Sequence, residues 1–69
     1  MQLSTRNQLA GTVAEVVHGT VMTKVKVTLA GGETITAAIT REAAEELDLV
    51  PGSAVTALVK ATEVMLAVD

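Results

Sequence analysis

The residues that could do chemistry gather in three short stretches. Ser4-Thr5-Arg6-Asn7 offers two hydroxyls, a charged planar guanidinium and a side-chain amide in four consecutive positions. No acidic residue precedes Glu15, so nothing nearby in sequence neutralises Arg6. A donor-rich, acid-free segment that runs into an alternating apolar stretch suits capture of a small anion. On this segment alone the plainer reading, an N-terminal strand with a polar end, is preferred. Lys60 closes an otherwise apolar strand pattern and is followed by Ala61 and the hydroxyl of Thr62. Taken alone, it is a strand-end lysine with its ammonium in water. In His18-Gly19-Thr20-Val21-Met22 the glycine would let successive N–H groups converge on an anion. A plain inter-strand turn explains that stretch as well.

Other chemistries find no support. Nucleophilic catalysis requires an activated Ser, Thr, Cys or Lys beside an oriented base. The single histidine, His18, stands next to Gly19 in a turn-like stretch with no carboxylate at suggestive spacing. No glycine loop of the nucleotide-binding types occurs. Glu42, Glu45, Glu46 and Asp48 are carboxylates on the outer side of a short helix, with neither nucleophile nor metal partner. Lys24 and Lys26 alternate with valines and belong to a solvated strand face. The expectation is a binding protein, not an enzyme, with no organic cofactor and no direct metal ligands.

Size and composition narrow the class further. A chain of 69 residues forms one small domain, which buries too little surface to be comfortable alone. With no cysteine and one histidine, disulfides and a structural zinc site are excluded as remedies. Yet 49% of the residues are apolar, more than one tiny core needs, and oligomerisation is the remedy left. There is no Phe, Trp or Tyr, and the formal net charge is −3. Single-stranded nucleic-acid binders rely on aromatic stacking and a basic groove, so no nucleic-acid partner is expected. No basic-then-apolar leader is visible, and no apolar run approaches the roughly 20 residues of a membrane helix. A cytoplasmic protein without a membrane partner is expected.

The elements that must position these residues follow from hydrophobic periodicity. From Leu9 to Val17 both strand faces are partly apolar, with Leu9, Gly11, Val13 and Val17 on one and Ala10, Thr12, Ala14 and Val16 on the other. Gly11 in mid-strand suggests a bend or close backbone approach. Residues 20–29 alternate clearly, with Val21, Thr23, Val25, Val27 and Leu29 inward. Ala30-Gly31-Gly32-Glu33 is a hairpin signal, and residues 34–39 bury Ile35, Ala37 and Ile39. Thr40 caps a short helix in which Arg41 pairs with Glu45 and Ala43, Leu47 and Val50 form the apolar side. Val50-Pro51-Gly52-Ser53 is a turn. Two last strands follow, Val55, Ala57 and Val59 marking the fourth and Val64, Leu66 and Val68 the fifth. The expected fold is all-β, a five-stranded OB-like barrel with one short helix between strands 3 and 4.

Two motifs carry a resemblance. Ser4-Thr5-Arg6-Asn7-Gln8-Leu9-Ala10-Gly11 resembles the opening motif of the molybdate-binding Mop proteins, the molbindins. Thr56-Ala57-Leu58-Val59-Lys60-Ala61-Thr62-Glu63-Val64-Met65 resembles the family's second signature. The similarity extends over essentially the whole chain, including Gly19-Thr20-Val21-Met22 and the Val50-Pro51-Gly52 turn. It implies a single Mop, or TOBE-type, oxyanion-binding domain over residues 1–69 with the OB-like fold, binding molybdate or tungstate for storage and homeostasis. By the same resemblance the chain is a homo-oligomer, a hexamer built as a trimer of dimers. Its interface site joins Ser4, Thr5, Arg6 and Asn7 to Lys60, Ala61 and Thr62 of a neighbour, and Thr5 stands where many relatives have alanine. A second oxyanion site is implied at His18, Gly19, Thr20, Val21 and Met22. The alternative is a regulatory or assembly module that senses the oxyanion and signals to a protein partner.

Overall fold

A computed structural model describes residues 6–69. Four antiparallel strands, β1 (Asn7–His18), β2 (Met22–Leu29), β3 (Thr34–Thr40) and β4 (Ala54–Val59), form one sheet in the order β3-β2-β1-β4. The helix α1 (Arg41–Glu46) lies between β3 and β4, where the sequence puts it. The sheet curls into a half-barrel whose concave face carries the core. Val13, Val25 and Val27 are its buried centre, with Ile35, Ile39 and Val55 packed against them.

The alternation over β2 is realised in the structure, but the inward set begins at Thr23, because Val21 lies in the preceding turn and is exposed. Thr23 is the one fully buried polar side chain among the described residues, and its hydroxyl is hydrogen-bonded to His18 Nδ1 at 2.9 Å. In β1 the simple alternation fails for a physical reason. Val13 pairs with Val27 and Glu15 with Lys26, so two steps on β1 match one on β2 and Ala14 is bulged out. The bulge reverses the phase, bringing Val16 to the core side and leaving Val17 exposed. Gly11 sits where a Cβ would lie 2.6 Å from Val27 Cγ1 and 2.8 Å from the Thr28 carbonyl oxygen. The close approach expected at this glycine is therefore present.

The turns behave as their residues dictate. Gly32 and Gly52 take φ of 94° and 97°, a region in which side-chain-bearing residues are strained. Gly52 N–H donates to the Val13 carbonyl oxygen and Val13 N–H to that of Ser53, stitching the turn after α1 to the bulge of β1. Thr40 caps α1 by accepting from Ala43 N–H at 3.1 Å. The helix presents a different apolar side from the one expected. It ends at Glu46 after six residues, and Asp48 then takes a positive φ of 53°. Ala44 and Leu49 consequently turn inward, while Leu47 and Val50 stay exposed.

The fifth strand does not form. After a single 3-10 turn, η1 (Ala61–Glu63), residues 64–69 pair with no strand among the described residues. The alternation of Val64, Leu66 and Val68 is genuine strand patterning, but among the described residues the segment joins neither edge of the sheet.

Candidate functional site

Ser4 and Thr5 lie outside the described residues, so the site is built from Arg6 onward. Arg6 is exposed and immediately precedes β1. Asn7 opens the strand, half-buried, and pairs with Val59, the last residue of β4. Its side chain extends the ladder by one bond, Nδ2 donating to the Val59 carbonyl oxygen at 3.0 Å. Because the strands are antiparallel, the next residue outward on β1 is Arg6 and the next on β4 is Lys60. Two stretches more than fifty positions apart in sequence thus meet at one end of the β1–β4 pair.

Beyond that end the backbone turns sharply. Lys60 is extended, with φ −62° and ψ 139°, and caps the 3-10 turn containing Ala61 and Thr62. Glu63 N–H donates to the Lys60 carbonyl oxygen at 2.9 Å. Lys60, Ala61 and Thr62 are all exposed, as is Arg6. The end of the ladder therefore presents a guanidinium, an ammonium and a threonine hydroxyl to solvent around an ordered backbone. Groups of these types are able to form charge-assisted hydrogen bonds to an anion.

The second candidate stretch lies at the other end of β1. Gly19 N–H donates to the Met22 carbonyl oxygen at 2.7 Å, closing the turn. A Cβ on Gly19 would lie 2.8 Å from that same oxygen, which explains the glycine on steric grounds alone. Arg41 links this turn to α1, through its backbone N–H to the Val21 carbonyl oxygen and through Nη1 to that of Gly19 at 3.3 Å. Its Nε meets Glu45 at 2.8 Å, the i,i+4 pair expected from spacing. The shallow hollow beside Thr20 and Val21 is also lined by Glu42 and Glu45, so carboxylates flank the one guanidinium there. The contact of Arg41 with Gly19 spans 22 positions and had no signal in local spacing. Among the described residues, no three His, Cys, Asp or Glu side chains are grouped to hold a metal ion.

Comparison with known proteins identifies the family of the chain. The TOBE domain family matches residues 3–66, almost the entire chain and both motifs. The chain belongs to this family. Its TOBE domain is 48% identical to the molybdenum-pterin-binding protein MopB of Rhodobacter capsulatus over 66 residues. That match takes in 96% of this chain but only 24% of MopB, so the chain spans about a quarter of that relative. Among solved structures, a molybdate-binding protein from Sporomusa ovata superposes with a TM-score of 0.92 at 51% identity, covering 97% of this chain and 98% of its own. The cytoplasmic molybdate-binding protein ModG, solved with molybdate bound, gives a TM-score of 0.85 at 44% identity, covering 88% of this chain and 43% of ModG. The fold over nearly the whole chain is thus shared with a solved relative that is itself covered to 98%.

Proposed function

We propose that this TOBE domain binds molybdate or tungstate for storage and homeostasis in the cytoplasm, at subunit interfaces of a homo-oligomer arranged as a hexamer, a trimer of dimers. The observation that carries the reading is the β1–β4 register, which brings Arg6 and Lys60 to one ladder end in a protein whose relatives are named for binding molybdate or a molybdenum pterin. The ligating set we assign is Ser4, Thr5, Arg6 and Asn7 with Lys60, Ala61 and Thr62. Each site takes Ser4, Thr5, Arg6 and Asn7 from one copy and Lys60, Ala61 and Thr62 from its neighbour.

The chemistry suits a tetrahedral dianion. Molybdate at neutral pH offers only acceptors, and N–H groups, hydroxyls, one guanidinium and one ammonium satisfy them. Monoprotonated phosphate brings a proton best accepted by a carboxylate, and the assigned set contains none. Sulfate carries no such proton and is discriminated by size. Tungstate, nearly the size of molybdate, is accepted along with it. For residues 18–22 we propose a subsidiary backbone site, held by N–H groups of the turn.

Few buried residues support the oligomer. Val13, Val25, Val27 and Ala44 are the only buried hydrophobic residues among those described, although about half the chain is apolar. Fully burying a valine contributes only about 1.5–3 kcal/mol, against about 1–2 kcal/mol of backbone ordering for every residue fixed. A second reading, a module that senses the oxyanion and signals to a partner, is favoured by MopB, in which the matching region is a small part of a longer chain. Equilibrium titration with molybdate, tungstate, sulfate and phosphate decides the main claim. Saturable binding of the first two and weak binding of the others is expected, and indifference among all four overturns it. Fluorescence anisotropy with single-stranded RNA and DNA should show no association. Tight binding with a steep salt dependence would restore a nucleic-acid role.

A further inference from the structure

The turn between β1 and β2 is fixed at its two ends by strand pairing. His18 stands opposite Thr23, with Nδ1 2.9 Å from the buried Oγ1, and Met22 stands opposite Thr40. Between these ends, Gly19 N–H donates to the Met22 carbonyl oxygen at 2.7 Å. The carbonyl oxygens of Gly19 and Val21 both accept from Arg41, the first from Nη1 at 3.3 Å and the second from the backbone N–H at 2.8 Å. The N–H groups of Thr20 and Val21 donate to no backbone or side-chain acceptor among the described residues, and both residues are exposed. Three oxygens of the turn are therefore occupied while two consecutive donors stay open, the polarity that suits an anion.

We propose that Arg41 is a positioning residue for an oxyanion at this turn: its guanidinium holds the Gly19 carbonyl oxygen and so aims the Thr20 N–H. The inference rests on the subsidiary-site reading of residues 18–22 above. The Gly19 carbonyl and the Thr20 N–H belong to one planar trans peptide unit, in which the two groups point in opposite directions. A donor that fixes the oxygen on the α1 side therefore fixes the N–H on the other. Next to a glycine, that plane meets little steric hindrance to flipping, and a flip would turn an oxygen toward the anion. Arg41 is itself held, its Nε donating to Glu45 Oε1 at 2.8 Å. Glu42 and Glu45 also line the hollow beside Thr20 and Val21, so carboxylates offset the charge of Arg41 there. Its contribution is orientation of a peptide rather than attraction of the ion.

Molybdate titration of the nitrogen-15-labelled protein, followed by amide resonances, reads the two proposed sites separately. The Thr20 and Val21 amides report the turn, and the Ala61 amide reports the ladder end. All three should shift saturably in the unsubstituted protein. In Arg41→Ala, the Kd read at Thr20 should weaken about three- to tenfold, the weight of one hydrogen bond, while the Kd read at Ala61 stays unchanged. Arg41→Lys should recover less than half of that loss, because an ammonium keeps the charge but not the fork that bridges Glu45 and Gly19. An unchanged Kd at Thr20 in Arg41→Ala overturns the positioning role and leaves the subsidiary site standing. Full recovery in Arg41→Lys also overturns it, since charge alone would then suffice. A parallel loss at Ala61 overturns it as well, marking a general disturbance of the fold. Thr20 and Val21 amides that ignore molybdate in the unsubstituted protein remove the subsidiary site and the inference together.

Discussion

Asn7 stands opposite Val59 in the β1–β4 ladder, and its Nδ2 donates to the Val59 carbonyl oxygen at 3.0 Å. This bond tethers the first residue of one strand to the last of the other, so the flanking Arg6 and Lys60 project from a fixed end. If both hold one oxyanion, Arg6→Ala and Lys60→Ala should each lose about one to two decades of molybdate affinity, the roughly 1.5–3 kcal/mol of a desolvated charge-assisted contact. Lys24→Ala and Lys26→Ala should change affinity little, since they lie far along β2. Arg6→Lys should weaken binding too, because an ammonium cannot reproduce the two-pronged guanidinium geometry. Calorimetric titration of the five variants makes the comparison, and equal losses at all lysines would refute the site.

Two glycines should fail for different reasons. At Gly11 a Cβ meets Val27 Cγ1 and the Thr28 carbonyl oxygen, and the backbone oxygen has no room to retreat. Gly11→Ala should cost about 1–3 kcal/mol, as overpacking does. Gly52 faces open space but holds φ at 97°, so Gly52→Ala carries conformational strain of about 1 kcal/mol or more. Asn tolerates left-handed backbone better than Ala does. Thermal melts should therefore show Gly52→Asn milder than Gly52→Ala, and Gly11→Asn worse than Gly11→Ala.

The helix cap and the helix ion pair should differ in weight. Thr40 Oγ1 accepts from Ala43 N–H, and its loss in Thr40→Ala should cost about 0.5–2 kcal/mol. The Arg41–Glu45 pair is short at 2.8 Å but both side chains are largely exposed, so solvent screens it. Glu45→Ala should cost no more than about 0.5 kcal/mol. Denaturant midpoints that ranked the two in the opposite order would show the ion pair to matter more than its exposure allows.

How legible the structure was depends on whether a feature is local. The inward set Thr23, Val25 and Val27, the Thr40 cap and the Gly52 turn are each decided within a few residues, and each appears as expected. The bulge at Ala14 is not local, because it exists only in the match of β1 to β2, and alternation alone grouped Val17 rather than Val16 with Val13. The inward turn of Leu49 depends on where α1 stops, which Asp48 decides by taking a positive φ that its residue type does not demand. The fifth strand was legible as a pattern but does not form, since Leu66 pairs with no strand among the described residues. The two anion motifs were visible separately. Their meeting is a consequence of the Asn7–Val59 register, which no spacing in the sequence states.

The division of the site between subunits can be tested by mixing. In each chain Arg6 and Lys60 flank the same ladder end, so a single copy offers both cations on one exposed wall. An interface site instead joins Arg6 of one copy to Lys60 of its neighbour. Arg6→Ala chains keep Lys60, and Lys60→Ala chains keep Arg6. When the two are assembled together, some interfaces combine an intact Arg6 from one chain with an intact Lys60 from the other. Those interfaces should recover molybdate affinity close to that of the unsubstituted protein, while homogeneous assemblies of either variant stay weak. The double substitution within one chain should be non-additive, since both residues serve the same ion. Mass spectrometry of differently tagged chains confirms that subunits have exchanged. Absence of recovery in such mixed assemblies would mean that one chain's own Arg6 and Lys60 act together, and would move the oxyanion from the interface to a single ladder end.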